Sequence, residues 1–461
     1  MPRLLVCFVL SSGIVASAKA ETLADTLVSA YENSGLLEQN RALLRAADED
    51  VAQIVAQLRP IINWTLDFTQ SFGESDRGGF VQDVDFFEFD IGITFSLLLF
   101  DFGNTRFQLD AAKETVLATR ENLRSIEQQI LLRAVTAYLN VQRNQEFLAL
   151  RDNNVRLLRE ELRAARDRFE VGEVTRTDVA QAEARLAAAQ SGFASAEGDL
   201  VQAIEEFRAA VGRTPRNLSS PVPLPRLSGQ VAADKAIALR SHPSILQAQR
   251  QVASAEFTIK AAEAAMRPTL NLSGGLSLTE ELSGPFSARQ GQIGLGVSGP
   301  IYQGGLLSST KRQAIAQRDS QRGNLHEVSR QVEQDVGNAY ATLDTARAVQ
   351  RSSREQVRAA QVAFEGVREE ATLGARTTLD VLDAEQELQD AKANLISADV
   401  DVFIAAYQVL SSIGQLTARD LNLNVQLYDP AAYYNLVKDA PVPISPQGQK
   451  LDRVLKSLGK Q

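Results

Sequence analysis

The feature that most constrains this chain is that it is written twice. Arg59-Pro60 followed by Asn63 returns as Arg267-Pro268 followed by Asn271, and the breaker Asn33-Ser34-Gly35 returns as Ser241-His242-Pro243, both at an offset of 208. Downstream the offset is 202: Ala137-Tyr138 meets Ala339-Tyr340, and Gly172, Thr175 and Asp178 meet Gly374, Thr377 and Asp380. A fixed period of this kind marks a repeated structural unit. The change of 208 − 202 = 6 residues falls between Pro60 and Tyr138, most economically in a loop between two strands. The proline-rich run Pro221-Val222-Pro223-Leu224-Pro225 is the natural join between the halves.

Each half reads as helix, two strands, then two helices. After the first Arg-Pro pair, Trp64, Leu66 and Phe68 alternate with Thr65, Asp67 and Thr69. Phe87, Phe89, Ile91, Ile93, Phe95 and Leu97 then alternate with Glu88, Asp90, Gly92, Thr94 and Ser96. In the second half Leu270, Leu272, Leu276 and Leu278, then Ile293, Leu295 and Val297, repeat the pattern. The hairpins are expected at about 61–100 and about 269–301. Alternation over about 9 to 11 residues suits a transmembrane β-strand with lipid on one face and water on the other. A soluble sandwich strand shows the same alternation, and periodicity alone leaves both open.

The helices that follow are long. Asn104 to Glu170 and Leu306 to Thr372 contain no proline; at about 1.5 Å per residue each makes a rod of roughly 100 Å. The next helix, from Thr175 to near Val211 and from Thr377 to near Ile413, carries an unbroken seam. Val179, Ala182, Leu186, Ala189, Phe193, Ala196, Leu200, Ala203 and Phe207 are spaced three and four apart, and Val381 to Val409 repeat the register. A sustained seven-residue apolar repeat predicts left-handed coiled-coil packing.

The first twenty residues, with Arg3, the apolar run Leu4–Val15 and Ala18-Lys19-Ala20, read as a secretory signal peptide. The expected mature chain begins at Glu21 with net charge 46 − 57 = −11, which argues against nucleic acid as a partner. The single cysteine, Cys7, lies in that leader, so a disulfide within one chain is excluded, and a Cys/His zinc site would have to use two histidines. No uninterrupted run of about 18 apolar residues occurs, which argues against a membrane-spanning helix. An open four-stranded sheet in lipid would leave unpaired edges costing several kcal/mol per group, and closure takes about eight strands. If the strands span a bilayer, several chains share one barrel.

The chain resembles the TolC-like outer-membrane efflux and secretion ducts, through Gly374-Ala-Arg-Thr-Thr-Leu-Asp-Val-Leu-Asp-Ala384, Gly172-Glu-Val-Thr-Arg-Thr-Asp178 and the Arg-Pro pairs before the strands. The resemblance implies a mainly α fold with transmembrane β: a homotrimer sharing a 12-stranded barrel, four strands per chain, continuous with a coiled-coil α-barrel. It also implies a passive, non-enzymatic duct without cofactor or metal, reaching from the outer membrane into the periplasm. The implied partners are a periplasmic adaptor and an inner-membrane transporter, and the cargo is drug or protein. Repeats 21–226 and 227–434, with a linker at 213–226, account for this body, and 435–461 is expected to be a flexible tail. The segment Leu421 to Tyr434 is expected to join the linker in a belt around the helices.

Asp380 and Asp383 lie three apart on one helix, and Glu387 and Asp390 extend the acidic row; the first half has Asp178, Gln181, Arg185 and Ala188 at matching places. The resemblance implies that Asp380 and Asp383 form stacked acidic rings at a periplasmic constriction. Two carboxylates about 6 Å apart repel by roughly 3 kcal/mol at an effective dielectric near 20, so such rings favour cations. By the same resemblance Arg376, Thr177 and Asp178 latch the closed aperture, while the family's tyrosine in that network is replaced by Ala371. A solvated acidic face and a surface arginine are the plainer identities of these residues. Gly294-Leu-Gly-Val-Ser-Gly299 matches a dinucleotide fingerprint only as letters, since it lies in a strand rather than opening a helix. His242 and His326 lack any nucleophile motif, and read as a turn residue and a helix-surface residue. A soluble periplasmic coiled-coil scaffold or adaptor is the alternative function, and an exported hydrolase a distant third.

Overall fold

The computed structural model describes residues 20–76, 78–220, 222–282 and 284–457; the expected signal peptide lies outside the described residues except for Ala20. The first half runs α1 (Leu23–Asn33), α2 (Gly35–Ala56), β1 (Ile61–Asp76), β2 (Val81–Phe100), α3 (Asn104–Glu170) and α4 (Arg176–Val211). The second runs α5 (Val231–Ser241), α6 (Pro243–Ala264), β3 (Thr269–Glu281), β4 (Ser287–Ser298), α7 (Leu306–Thr372) and α8 (Thr378–Ile413). Two short helices follow, α9 (Ala432–Val437) and α10 (Pro446–Ser457). Helix α10 lies within the segment expected to be a flexible tail.

The helix expected before each hairpin is two helices. Ser34 ends α1 and caps α2 by accepting the Leu37 amide at 3.2 Å. At the equivalent place His242 Nδ1 accepts the Ser244 amide at 3.2 Å, and Pro243 occupies the first turn, where no N–H is needed. Elsewhere the duplication is also visible in buried tyrosines. Tyr138 donates to the Ser219 carbonyl at 2.8 Å, tying α3 to the linker, and Tyr340 donates to Asp234 on α5. Leu421, Leu423, Val425 and Tyr428 pack on the same core as Leu218 and Leu227, so the C-terminal segment and the linker share one layer.

Helices α3 and α7 are each 67 residues long. Helix α4, packed on α3, buries Ala182, Ala189, Ala196 and Ala203, the alternate members of its seam, together with Phe207. Helix α8 packs on α7 in the same way but is buried along a second stripe as well, Leu382, Glu385, Gln389, Val400 and Tyr407, which meets α3. Burial on two faces gives α8 two apolar stripes beside its exposed acidic row. Among the described residues it is the one helix long and apolar enough by composition to cross a membrane, contrary to expectation, yet half of its most apolar window is covered by protein. Its hydrophobicity serves helix contacts.

Helix α3 packs against α2, α4, α6 and α8, helix α7 packs against α6 and α8, and α4 meets α8 near the tip. The short helices stack end to end on the coiled-coil ones. At Gly212, which ends α4 at φ +86°, an added Cβ would sit 2.7 Å from Asn33 Cβ at the α1–α2 break. At Gly414, which ends α8 at φ +88°, it would sit 3.1 Å from Pro243 Cδ at the α5–α6 break. Glycine is required twice over, for the left-handed turn and for the close approach. The chain is thus a layer of four rods.

The strands form one antiparallel sheet in the order β1-β2-β3-β4. The register pairs Trp64 with Ile93, Leu66 with Ile91 and Phe68 with Phe89, and continues Ile93 to Leu276 and Ile91 to Leu278. One face is therefore an apolar band, and the other carries Thr65, Asp67, Asp90, Thr94, Ser273 and Ser277. The band is not covered by this chain's helices: Trp64 is 73% exposed, Phe72 82% and Ile293 80%. Among the described residues each of β1 and β4 has a partner on one side only. The fold is mainly helical with a four-stranded antiparallel sheet, and its wall is open along both edges.

Candidate functional site: the coiled-coil tip

The sequence motif shared by the halves builds two tight helical hairpins at the far end of the rods. Gly172 follows α3 at φ +80°, and Gly374 follows α7 at φ +77°. The amides after them, Glu173 N and Ala375 N, reach back to Arg168 O and Glu370 O, both at 2.9 Å. That is the glycine-dependent closure of a helix end. Thr175 and Thr377 then cap the next helices, each in a reciprocal box with the aspartate three residues on. The spacing Gly-x-x-Thr-x-x-Asp thus closes one helix and caps its antiparallel neighbour within a short turn.

The candidate gate residues sit in this frame. Asp380 Oδ2 accepts the Thr377 amide at 2.9 Å and the Thr377 hydroxyl at 2.8 Å, while Asp380 N donates to Thr377 Oγ1 at 3.2 Å. The backbone hydrogen bond, then the hydroxyl, holds its carboxyl below the ordinary aspartate range, with Arg376 helping slightly. Asp178 is engaged by Thr175 in the same way and lowered for the same reason. Asp380 is therefore ionised and also structural. Asp383 reaches across to α4, where Arg185 donates to Oδ1 at 2.5 Å. Of the rest of the row, Glu387 is exposed and Asp390 accepts from Gln386 at 2.9 Å.

The candidate latch is less assembled. Arg376 donates to Glu370 Oε2 at 2.8 Å, within its own hairpin; this bond raises the guanidinium's pKa. Thr177 is exposed on the first turn of α4. Ala371 packs with Ala360, Phe364 and Val381, so a small apolar residue there completes the α7–α8 contact. Within one chain these residues lie at the same tip, where the Arg185–Asp383 ion pair joins the two hairpins.

Sequence reasoning missed two features. Arg185 stood out only as a break in the acidic row. Glu385 was passed over between Asp383 and Glu387; it is 2% exposed, and among the described residues neither carboxylate oxygen has a hydrogen-bond partner. The histidines take structural places: His242 caps α6, its pKa lowered by burial, and His326 is exposed on α7. Gly294 and Gly296 lie inside β4. Among the described residues no group of acids, histidines and cysteines could hold a metal ion.

The chain matches the family model described as outer membrane efflux protein over residues 26–213 and 236–415, one match to each repeat. It is 37% identical over 442 residues to the outer membrane efflux protein BepC of Brucella suis biovar 1, with 95% of each chain covered. It is 27% identical over 434 residues to the outer membrane protein TolC of Vibrio cholerae, covering 91% of this chain and 97% of that one. Among solved structures, the Campylobacter jejuni CmeC outer membrane channel superposes with a TM-score of 0.76 at 17% identity, over 90% of this chain and 89% of the other. Fold, repeat structure and sequence agree, and the chain belongs to the outer membrane efflux protein family.

Proposed function

We propose that this protein is the outer-membrane duct of a tripartite export system, built as a homotrimer and gated at its periplasmic tip by Asp380 and Asp383. The observation that carries the reading is the open wall. An apolar, uncovered sheet with two bare edges continues into a layer of four rods whose outermost members also have a free side. In lipid each unpaired backbone group costs several kcal/mol, so the sheet edges need strands from other copies. Three copies would supply 3 × 4 = 12 strands and a tube of helices below them. The family resemblance supplies the number three, the adaptor and the inner-membrane transporter, and drug efflux or type I protein secretion as the task.

At the tip, the ionised Asp380 and the Asp383–Arg185 pair would ring the axis three times over. Such rings favour cations and bind multivalent ones. The protein itself performs no bond chemistry; it supplies a passage whose narrowest point is charged. The test is conductance in planar bilayers. Multivalent cations should block the wild type, and Asp380→Ala with Asp383→Ala should abolish the block. Unchanged block would move the constriction elsewhere, and a protein that washes from membranes with salt and conducts nothing would return the scaffold reading.

A further inference from the structure

The second buried stripe of α8 contains a carboxylate with nowhere to put its charge. Glu385 lies one turn beyond Leu382, which packs on Val155, Leu158 and Ala189, and one turn before Gln389, which is 6% exposed. Both Glu385 oxygens and Gln389 Oε1 are buried without a hydrogen-bond partner. The charges facing Glu385 are Glu161 on α3, which repels it, and Arg368 on α7 and Lys392 on α8, which attract it without a hydrogen bond. From α4, Arg185 reaches this level of α8, but it is committed to Asp383 two residues away.

This stripe is where the α3–α4 coiled coil meets the α7–α8 coiled coil within the chain. A buried carboxylate among acceptors is costly when charged. One added proton removes the charge and lets the carboxyl donate, with the unpartnered Gln389 Oε1 one turn away as a candidate acceptor. We propose that Glu385 is a proton-operated latch on the seam between the two coiled coils. With the proton bound the seam is dry and closed; with the proton lost, water enters to solvate the carboxylate and the coiled coils part near the tip. Burial pushes this carboxyl up to about 7, with Glu161 adding to the shift, so the latch would work in the neutral range. Its consequence for transport rests on the tip being the aperture, as proposed above.

The test is a distance between helices. Cys7 is the chain's single cysteine, so in a Cys7→Ser background the exposed residues Arg163→Cys on α3 and Asn394→Cys on α8 can be spin-labelled alone. In the full-length protein the distance distribution should lengthen or broaden from about pH 5.5 to about pH 8.5, with a midpoint near neutrality. Glu385→Gln, which cannot ionise, should stay narrow throughout. A wild-type distribution that ignores pH, or a Glu385→Gln variant that responds as the wild type does, overturns the latch. Bilayer conductance measured on the same samples separates the two readings. A seam that opens with pH while conductance stays constant keeps the latch and removes the aperture from its control.

Discussion

Arg185 of α4 and Asp383 of α8 meet at 2.5 Å, joining two helices whose residues are 198 apart in the chain. Arg185 stands where the second half has Glu387, and Asp383 where the first half has Gln181, so two departures from the repeat make the lock. Both side chains are more than a third exposed, at 38% and 57%. Such a pair is worth up to about 1 kcal/mol and weakens with salt. Its larger effect is on how free the Asp383 charge is.

The first prediction follows from that pair. Arg185→Gln should leave stability within about 1 kcal/mol of wild type, yet free Asp383 and so tighten block by multivalent cations. Titrating the blocking cation at low and high salt checks this. Equal block in variant and wild type would show that Asp383 does not face the permeation path.

The tip caps offer a second. Thr377→Ala removes the hydroxyl that both caps α8 and stabilises ionised Asp380, at a cost of about 1 kcal/mol. The carboxyl is lowered in the folded protein, so the stability it contributes is present above its unfolded value of 3.8 and is lost as pH falls through the folded value. In Thr377→Ala the loss of cation block on acidification should therefore begin at higher pH than in the wild type. Single-channel recordings across an acid series measure it.

A third concerns Asp48 on α2, fully buried with both carboxylate oxygens unpartnered among the described residues. Burial raises its carboxyl from 3.8 to about 6, against the pull of Arg120. The raised folded value means that its contribution is fully present below pH 3.8 and is lost as pH rises through about 6. Asp48→Asn should flatten that part of the stability profile and melt later than wild type above it. Apparent melting temperatures measured across that range decide.

The sheet gives a fourth. Ile293 and Gln292 are neighbours on β4 and point to opposite faces. Ile293→Lys puts a charge in the apolar band, costing about 2–4 kcal/mol at mid-membrane, and should sharply reduce the protein recovered in outer membranes. Gln292→Lys should assemble normally. Equal recovery of the two would contradict a lipid-facing band.

Much of this was legible in the chain itself because it is local. Proline-free stretches mark α3 and α7, a three-four seam marks α4 and α8, and a period of two marks the strands. Backbone geometry enforces each of these within a few residues. The Gly-x-x-Thr-x-x-Asp motif is of the same kind: a left-handed turn, a hydroxyl cap and a carboxylate at the third helical position. The break at Ser34 was visible as punctuation, but its division of one helix into two was missed.

What the tertiary structure alone decided is which surfaces meet. Glu385 drew no notice in the sequence until α3 was found covering it, since burial depends on a helix more than 200 positions away in the chain. Arg185 looked like a flaw in a repeat until its partner appeared. Sequence period reports which way a side chain leaves its own helix; whether water, lipid or another helix waits there is set by long-range packing, and that is where the charges acquire their work.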